Sequence, residues 1–468
     1  MLMKKTLCSL LIMGLGVLSA AQAAQAKRSV YILTGQSNSL GAVKGTPAGA
    51  ELLERYASNA RLWNGNMERD TGRCFDASPS WQPVAPQLPK YGNLCMGPEY
   101  GFAHMMQRRG WHSGSAESLF IIKASLDGGG NSCWLPEAAA WKSLSSTVQA
   151  ALAELKGGYR VQGLLYLQGE SDKEDEITRA PERFLDLHSR LRKEVKKGLS
   201  FAVAGECATW GLREEKDAKG NTTAALMEHM AAKERNVGWV RTRDLTKITK
   251  GDNMAVHYDG KSQLTIGARY AYAVALLEKL PFTPTRGDAP KAALNTPAAW
   301  WGGKLPTAAD VVRWDVSSAN AADTLGADMT VAGVEVEDPF RGVVSIAASA
   351  QKPAALHIGA KGVQLANGDL QLHCAVVLKG PQLWQLASGC KLCIGSEREP
   401  VSLSFQGEPA TVQVSGPQDA EVELHLASIP RCVWRLSHPA PRVKITCKGK
   451  PIELKEGKNG SYTLSPGS

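Results

Sequence analysis

The segment Gly35-Gln-Ser-Asn38 offers a serine hydroxyl that could attack a carbonyl carbon. It follows an apolar run, and Gly35 permits a tight turn with close backbone approach. On such a turn the backbone amide of Ser37 can donate a hydrogen bond to the developing oxyanion, with Gln36 and Asn38 as supporting polar groups. A helix N-cap, in which Ser37 or Asn38 satisfies backbone amides, explains the same residues. The serine therefore needs partners elsewhere in the sequence.

Two further segments supply candidate donors for an oxyanion. The backbone N–H groups of Gly128 and Gly129, in a run of three glycines, can face a developing negative charge. An ordinary turn is the alternative, whereas a phosphate-binding P-loop is excluded because no Gly-Lys-Ser or Gly-Lys-Thr follows. In Gln168-Gly-Glu-Ser-Asp172 we expect the Gln168 amide to donate to the oxyanion. Glu170 is a supporting carboxylate there, unless the segment is merely a solvated acidic loop.

His257, in Asp252-Asn-Met-Ala-Val-His-Tyr-Asp259, is the candidate general base. An imidazole can take the serine proton and return it to a leaving alcohol. A lone histidine is more often structural, but His257 stands after a predicted strand and just before a predicted helix. The other histidines lie in or beside predicted helices, or in the C-terminal half.

A parallel sheet would bring these segments together. Residues 28–282 alternate short apolar runs with longer runs at helical spacing. The predicted strands are Ser29–Thr34, Ser118–Lys123, Val161–Leu167, Ser200–Ala204 and Val237–Arg241. The predicted helices are Glu99–Arg109, Ala138–Lys156, Ile177–Lys197, Thr222–Lys233 and Leu264–Leu280. In such an α/β sheet, ligand sites form at the carboxyl ends of the strands, which is where the four segments lie.

Taken together, the four segments resemble the SGNH hydrolase superfamily, and more narrowly the sialate O-acetylesterases and carbohydrate esterase family six. The similar motifs are Gly-Gln-Ser-Asn, the glycine loop followed by Trp134, Gln-Gly-Glu-Ser-Asp, and the late His-Tyr with Leu-x-x-Gly-x-Arg-Tyr-Ala. Gly97-Pro-Glu-Tyr-Gly-Phe102 also resembles that group. The resemblance covers residues 28–282. It implies a flavodoxin-like three-layer α/β domain at 27–282, with Ser37 as nucleophile and without a metal or organic cofactor.

The resemblance also implies a secreted serine esterase that removes O-acetyl groups from sugars through an acetyl-serine intermediate. An acetylated glycan is the expected partner. A sialate O-acetylesterase and an acetyl xylan esterase both fit. An alternative of another class is a glycan-binding surface protein with a degenerate esterase domain.

The residue that orients His257 departs from the family's pattern. In many relatives an aspartate lies three residues before the catalytic histidine, a position held here by Met254. Asp252 lies five residues before His257, and Asp244 lies further upstream. Either an enlarged loop brings Asp252 to Nδ1 of His257, which we favour, or a backbone carbonyl orients the imidazole in a serine–histidine dyad.

The composition changes after residue 282. Residues 283–307 are predicted to be a linker. Residues 308–395 hold short alternating runs separated by glycines, which predict an all-β region, either a solenoid or a sandwich. Residues 396–468 remain strand-rich and are predicted to be a small β module or the cap of the same unit.

The first 26 residues have the pattern of a signal peptide: a cationic start, an apolar run from Leu7 to Leu18, and small residues from Ala20 to Ala26. We therefore expect a secreted or periplasmic protein. No later stretch is apolar enough for a membrane-spanning helix.

The net charge of +9 is spread along the chain, without the basic stripe and stacking aromatics that a nucleic-acid partner requires. Cys74 and Cys95 flank one loop and could pair. Cys390-Lys-Leu-Cys393 lacks a second pair of ligands at zinc spacing, so disulfides or buried thiols are favoured over a metal.

Overall fold

The computed structural model describes residues 28–41, 54–78, 80–85, 96–112, 118–156, 158–195, 198–209, 215–248, 255–319, 322–337, 342–407, 411–437, 440–456 and 461–466. The predicted leader, Asp252 and Cys95 lie outside these ranges. Within them, no helix combines the length and apolarity needed to cross a bilayer.

The N-terminal half is built on one sheet that is mostly parallel. Its strands are β1 (Arg28–Gly35), β2 (Arg61–Asn64), β3 (Met67–Glu68), β4 (Gln82–Pro83), β5 (Leu119–Asp127), β6 (Tyr159–Leu167), β7 (Gly198–Gly205) and β8 (Val237–Val240). The strand order is β4-β2-β5-β1-β6-β7-β8, with β3 paired to β5. The five strands from β5 to β8 along this order are the five predicted ones. They have the order of a flavodoxin-type sheet, which confirms the predicted fold class.

Helices cover both faces of the sheet. They are α1 (Ser37–Leu40), α2 (Glu99–Arg108), α3 (Ala139–Glu154), α4 (Asp175–Val195), α5 (Thr223–Lys233) and α6 (Gly260–Leu277). Successive side chains of a strand point to opposite faces. Tyr31 and Leu33 of β1 therefore join the core formed with α2 and α6. Val30 and Ile32 join the core formed with α3, α4 and α5. Burial on both faces explains why the central strands are continuously apolar.

Segment 61–96 contributes in part to the sheet. Residues Arg61–Asn64 pair in parallel with β5, and Met67–Glu68 pair with its carboxyl end. Strands of two to four residues carry too little alternation to be recognised in the sequence.

The C-terminal half is all β. Its strands are β9 (Val311–Trp314), β10 (Asp323–Leu325), β11 (Met329–Val336), β12 (Val343–Ala348), β13 (Ala355–Leu365), β14 (Asp369–His373), β15 (Ala375–Lys379), β16 (Gln382–Leu386), β17 (Lys391–Ile394), β18 (Leu403–Gln406), β19 (Thr411–Ser415), β20 (Glu421–Leu426), β21 (Val433–Leu436), β22 (Arg442–Cys447), β23 (Lys450–Glu456) and β24 (Ser461–Pro466).

These strands form a β-solenoid. The chain passes back and forth between two parallel ladders, β9-β11-β13-β16-β19-β21 and β10-β12-β14-β17-β20-β22, with β15 and β18 beside the first. Inward side chains of both ladders, such as Val334 and Leu372, share one apolar core. A sandwich of the immunoglobulin type would have antiparallel sheets, so the solenoid alternative is the one observed.

The solenoid continues across residue 395 without a break. Leu392 of β17 lies opposite Val422 of β20 in the parallel ladder. At the C-terminal end, β23 and β24 pair antiparallel with each other and with β22 and β21, which joins the two ladders. Residues 396–468 therefore form the last turns and the cap of the same unit.

The predicted linker, residues 283–307, packs between the two halves. Thr285 and Arg286 are completely buried. The backbone N–H of Arg286 donates to the Arg313 carbonyl at 2.9 Å, and its guanidinium lies 2.7 Å from Asp323. The prolines and glycines of segment 283–307 therefore belong to turns of a packed, ordered connection.

The eight described cysteines are free thiols. Cys390 and Cys393 are both buried, which is one of the outcomes that the sequence favoured. Cys74 lies 3.6 Å from the carbonyl oxygen of Gly65. Cys95, the partner expected for Cys74, lies outside the described residues.

Candidate active site

Ser37 lies at the point where the strand order of the sheet reverses. It is the first residue of α1, directly beyond the carboxyl end of β1, which lies between β5 and β6. Gly35 has φ +139°, and a Cβ there would lie 1.9 Å from the carbonyl oxygen of Leu167. The backbone N–H of Gln36 donates to that same oxygen at 3.0 Å. The turn that presents Ser37 is therefore built by backbone contact between two strands.

His257 lies against the serine. Its Nε2 atom is 3.0 Å from Oγ of Ser37, within the range required for proton transfer. The carbonyl of His257 accepts a hydrogen bond from the N–H of Ile248 at 2.8 Å. The loop that carries the histidine thus folds back on the segment after β8, just before α6. The structure brings together the predicted nucleophile and the predicted base, which are 220 residues apart in sequence.

Asn38, the residue after the serine, contacts the backbone on both sides of His257. Its Nδ2 atom donates to the Val256 carbonyl at 3.0 Å, and its Oδ1 atom accepts from the N–H of Tyr258 at 3.1 Å. Nδ2 also donates to Oε1 of Glu170 at 2.7 Å. Asn38 is completely buried, so water does not compete for these bonds.

Gln168, the predicted oxyanion donor, has several partners within the protein. Its Nε2 atom donates to Oε1 of Gln36 at 2.8 Å and to the Gly129 carbonyl at 2.9 Å. Its Oε1 atom accepts from the indole N–H of Trp134 at 3.1 Å. A primary amide has two N–H donors, and both have acceptors here. Gln168 thus links the serine turn to the glycine loop, and it must release one partner to donate to an oxyanion.

The glycine loop after β5 is held from behind. Gly128 and Gly129 have φ +84° and +93°, a region that favours glycine. Asn131, which follows them, is buried and donates through its N–H and its Nδ2 to Asp172, at 2.9 and 2.7 Å. Arg183 of α4 donates to the Asn131 side-chain oxygen at 2.7 Å. Asp172, the last residue of the quoted Gln-Gly-Glu-Ser-Asp motif, is therefore the anchor of this loop.

Two buried carboxyl groups lie beneath the site. Burial raises the pKa of Glu170 to about 7, against the opposing hydrogen bonds from Asn38 and Ala208. Burial likewise raises the pKa of Asp172 to about 6, against its bonds from Asn131 and Thr223. Perturbed carboxyl groups of this kind are typical of functional sites.

The acid of a possible triad remains a prediction. Asp252 lies outside the described residues. Asp244, further upstream, forms a bidentate pair with Arg269 through two bonds of 2.8 and 2.7 Å. Both carboxylate oxygens of Asp244 therefore bond to the guanidinium of Arg269, a residue of α6.

A cavity of about 530 Å³ opens beyond the carboxyl ends of β7 and β8. Its lining includes the cationic residues Lys216, Arg243 and Lys247, and Tyr258, the neighbour of His257. The carboxylate of Glu206, which also lines it, is paired with Arg243. The cavity therefore has an excess of positive charge and begins one residue from the candidate base.

Among the residues that the structure describes, one group of side chains could hold a metal ion, and it lies in the solenoid. Ligand atoms of Cys393, Glu423 and His425 lie within 4.8 Å of one another. Glu423, however, is already paired with Lys391 and with Lys444. Two lysines on one carboxylate oppose a cation, so we assign no metal there.

The fold and the site together define a class of protein: a three-layer α/β domain of the SGNH hydrolase type, with a hydrogen-bonded serine and histidine at the switch point of its sheet. The chain belongs to the carbohydrate esterase family of sialic acid-specific acetylesterases, whose model matches residues 27–276. It is thus a carbohydrate esterase. The match covers the α/β domain and ends before the solenoid.

Three solved structures are similar to parts of this chain. A protein from Arabidopsis thaliana is 16% identical and covers 53% of this chain and 98% of its own, with a TM-score of 0.38. NanS is 14% identical and covers 55% of this chain and 99% of its own, with a TM-score of 0.41. A carbohydrate acetylesterase from Xanthomonas citri is 15% identical and covers 55% and 59%, with a TM-score of 0.36. A sequence search of curated proteins finds no match.

The sequence did not reveal the residues that hold the glycine loop or the lysine that lines the neighbouring cavity. Asn131 and Arg183 were not singled out, and Lys247 was not assigned to the cavity that Tyr258 also lines. An asparagine directly after a glycine loop is a usable signal, because its side chain can anchor the loop. The contact of Lys247 with Thr209 depends on the path of two loops, for which the sequence has no local signal.

Proposed function

We propose that this esterase is exported and removes O-acetyl groups from acidic sugars of the sialate type, with Ser37 as nucleophile. One observation carries the proposal: the 3.0 Å contact between Ser37 Oγ and His257 Nε2 in a domain of this family. The signal-peptide pattern of residues 1–26 supports export.

The reaction proceeds in two steps. His257 takes the hydroxyl proton of Ser37 while Oγ attacks the acetyl carbonyl carbon. The C–O bond to the sugar then breaks, and the imidazolium protonates the leaving sugar hydroxyl. Water, deprotonated by His257, attacks the acetyl-serine, and acetate leaves as Ser37 recovers its proton.

The oxyanion of each tetrahedral intermediate needs preorganised donors. The amide of Ser37 is in the first turn of α1, where N–H groups have no intrahelical acceptor. We propose that it acts together with an amide of the Gly128–Gly129 turn. Gln168 contributes by fixing that turn through the Gly129 carbonyl, or directly if it releases Gln36.

The serine assignment is tested by Ser37→Ala in purified protein. We expect 4-nitrophenyl acetate hydrolysis and fluorophosphonate labelling to fall to background, because both require the nucleophile. Ser39→Ala is the matched control, since Ser39 is buried in the same turn but bonds to Ser125 at 2.5 Å. Unchanged turnover in Ser37→Ala would overturn the assignment. A wild-type protein that binds acetylated glycans without labelling would favour the degenerate-domain alternative.

The charge of the 530 Å³ cavity favours an acidic sugar over xylan. Lys247 donates to the carbonyl and the hydroxyl of Thr209 at 3.0 and 3.1 Å, which holds its ammonium at the cavity wall. Burial lowers its pKa, so an incoming carboxylate would compensate for a poorly solvated cation.

Lys247→Met tests this preference. We expect kcat/KM for acetylated sialic acid to fall at least tenfold, because an ion pair is lost, while kcat/KM for acetylated xylo-oligosaccharides stays within twofold. Lys233→Met, which removes an exposed lysine from α5, is the control. Equal losses on both substrates, or no loss on either, would reject the acidic-sugar assignment and leave the esterase assignment standing.

A further inference from the structure

We propose that Asn38 is a positioning residue that fixes His257 relative to Ser37, and that Glu170 sets the orientation of the Asn38 amide. The inference rests on the proposed role of Ser37 and His257. It assigns to Asn38 and Glu170 a task within the reaction beyond that of generic supporting polar groups.

The first observation is the pair of bonds that bracket the histidine. The Val256 carbonyl and the Tyr258 N–H belong to the peptide groups on either side of His257, and both bind the Asn38 side chain. Two contacts on flanking peptides fix the direction of the Cα–Cβ bond between them. Since Asn38 directly follows Ser37, the same residue ties the base to the nucleophile turn.

The second observation is that the histidine loop has a backbone that needs to be held. Ala255, two residues before His257, has φ +47°, a left-handed conformation that costs a non-glycine residue free energy. Such conformations persist where surrounding contacts impose them. The bond from Asn38 to the Val256 carbonyl is such a contact, one residue further along the chain.

The third observation is that Glu170 distinguishes the two ends of the amide. Oε1 of Glu170 lies 2.7 Å from Nδ2 of Asn38 and also accepts from the N–H of Ala208 at 3.3 Å. An oxygen at the Nδ2 position would face two atoms that act as acceptors here, the Val256 carbonyl oxygen and the Oε1 atom that also accepts from Ala208. Glu170 therefore keeps Nδ2 towards Val256, which leaves Oδ1 for the Tyr258 N–H.

The consequence for catalysis is geometric. If the flanking peptides are released, the imidazole can move away from Oγ of Ser37. A displacement of about 1 Å at a reacting group can cost 10²-fold in rate. Substrate contacts elsewhere are unchanged, so the loss should fall on kcat and spare KM.

The main experiment compares Asn38→Ala, Asn38→Asp and the control Ser39→Ala. We expect kcat on 4-nitrophenyl acetate to fall about 10²-fold in both Asn38 variants, with KM within threefold, and the fluorophosphonate labelling rate to fall in parallel. Ser39→Ala should keep wild-type kcat.

Glu170 supplies the second test, which stands even if an Asn38 variant fails to fold. Glu170→Gln keeps an oxygen that can accept from Nδ2, whereas Glu170→Met does not. We expect Glu170→Met to lose at least tenfold in kcat and Glu170→Gln to recover most of it. The inference is overturned if folded Asn38→Ala keeps kcat and labelling rate within threefold of wild type, or if both Glu170 variants match wild type. An inactive wild-type protein would instead reject the proposed function.

Discussion

At the scale of single residues, the backbone around Gly35 leaves no space for a side chain. A Cβ on Gly35 would lie 1.9 Å from the Leu167 carbonyl oxygen, and φ is +139°. We predict that Gly35→Ala lowers the free energy of unfolding by more than about 2 kcal/mol, since both strain and overlap must be relieved. Urea denaturation measures this. Gly158→Ala, also at positive φ but with open space around the added Cβ, should cost only the strain of the left-handed conformation, about 1 kcal/mol. Equal costs at the two positions would show that the contact with Leu167 is not restrictive.

Glu170 predicts a pH dependence of stability. Burial raises its pKa from 4.5 to about 7, so the folded protein retains a proton that the unfolded chain has lost between these values. Stability therefore falls as pH rises from about 4.5 to about 7, and is level above that range. Urea denaturation across this range should show a shallower fall in Glu170→Gln than in wild type. Identical slopes in the two proteins would mean that Glu170 does not titrate there.

At the scale of elements, the sequence predicts the strands and helices better than it predicts the side-chain contacts that support the site. The five central strands begin and end within about four residues of their predicted limits, because each contains a short apolar run. The inner strands β1 and β5 are buried on both faces. The serine turn, the glycine loop and the histidine loop follow from those strand ends. The bonds of Asn38 to Val256 and Tyr258 span about 220 residues, and no local pattern announces them.

The solenoid shows the same limit. The short alternating runs of residues 308–395 predicted strands, and both alternatives for the region were all β. The choice between a solenoid and a sandwich depends on which strands become neighbours, as with Leu392 and Val422. Pairing of that kind is set by the register of whole turns and not by the composition of any one strand.

The glycine loop provides a prediction at the element scale. Asn131 joins this loop to α4 through Asp172 and Arg183, all of them buried. Asn131→Ala leaves a carboxylate and a guanidinium without their shared partner, so we expect a loss of about 2–4 kcal/mol in unfolding free energy. The released loop should also lower kcat. Urea denaturation and acetate release measure the two effects. Wild-type kcat in a destabilised variant would show that the loop holds its shape without this anchor.

At the scale of the whole molecule, the esterase domain and the solenoid meet through buried charges. Arg109, at the end of α2, lies 2.8 Å from Asp315 and 2.6 Å from Glu337, both in the solenoid half. Tyr272 of α6 donates to the same aspartate at 2.7 Å. The side chains of Arg109 and both acids are 9% exposed or less, so this cluster is part of a shared interior. We therefore expect the two halves to unfold together.

Breaking this cluster should separate the two halves. Arg109→Met removes the arginine paired with Asp315 and one of three that face Glu337, the others being Arg108 and Arg313. A buried acid left without its cation typically costs about 3–5 kcal/mol. Calorimetry should then resolve two unfolding transitions where the wild type has one, because the halves lose their coupling. Arg108→Met is the matched control: its side chain is 45% exposed and lies 3.4 Å from Glu337, so it should change the unfolding free energy by less than about 1 kcal/mol. If Arg109→Met still unfolds in one transition at the wild-type temperature, the coupling must come from the packed segment 283–307. In that case Arg286→Met, which removes the buried partner of Asp323, should produce the separation that Arg109→Met did not.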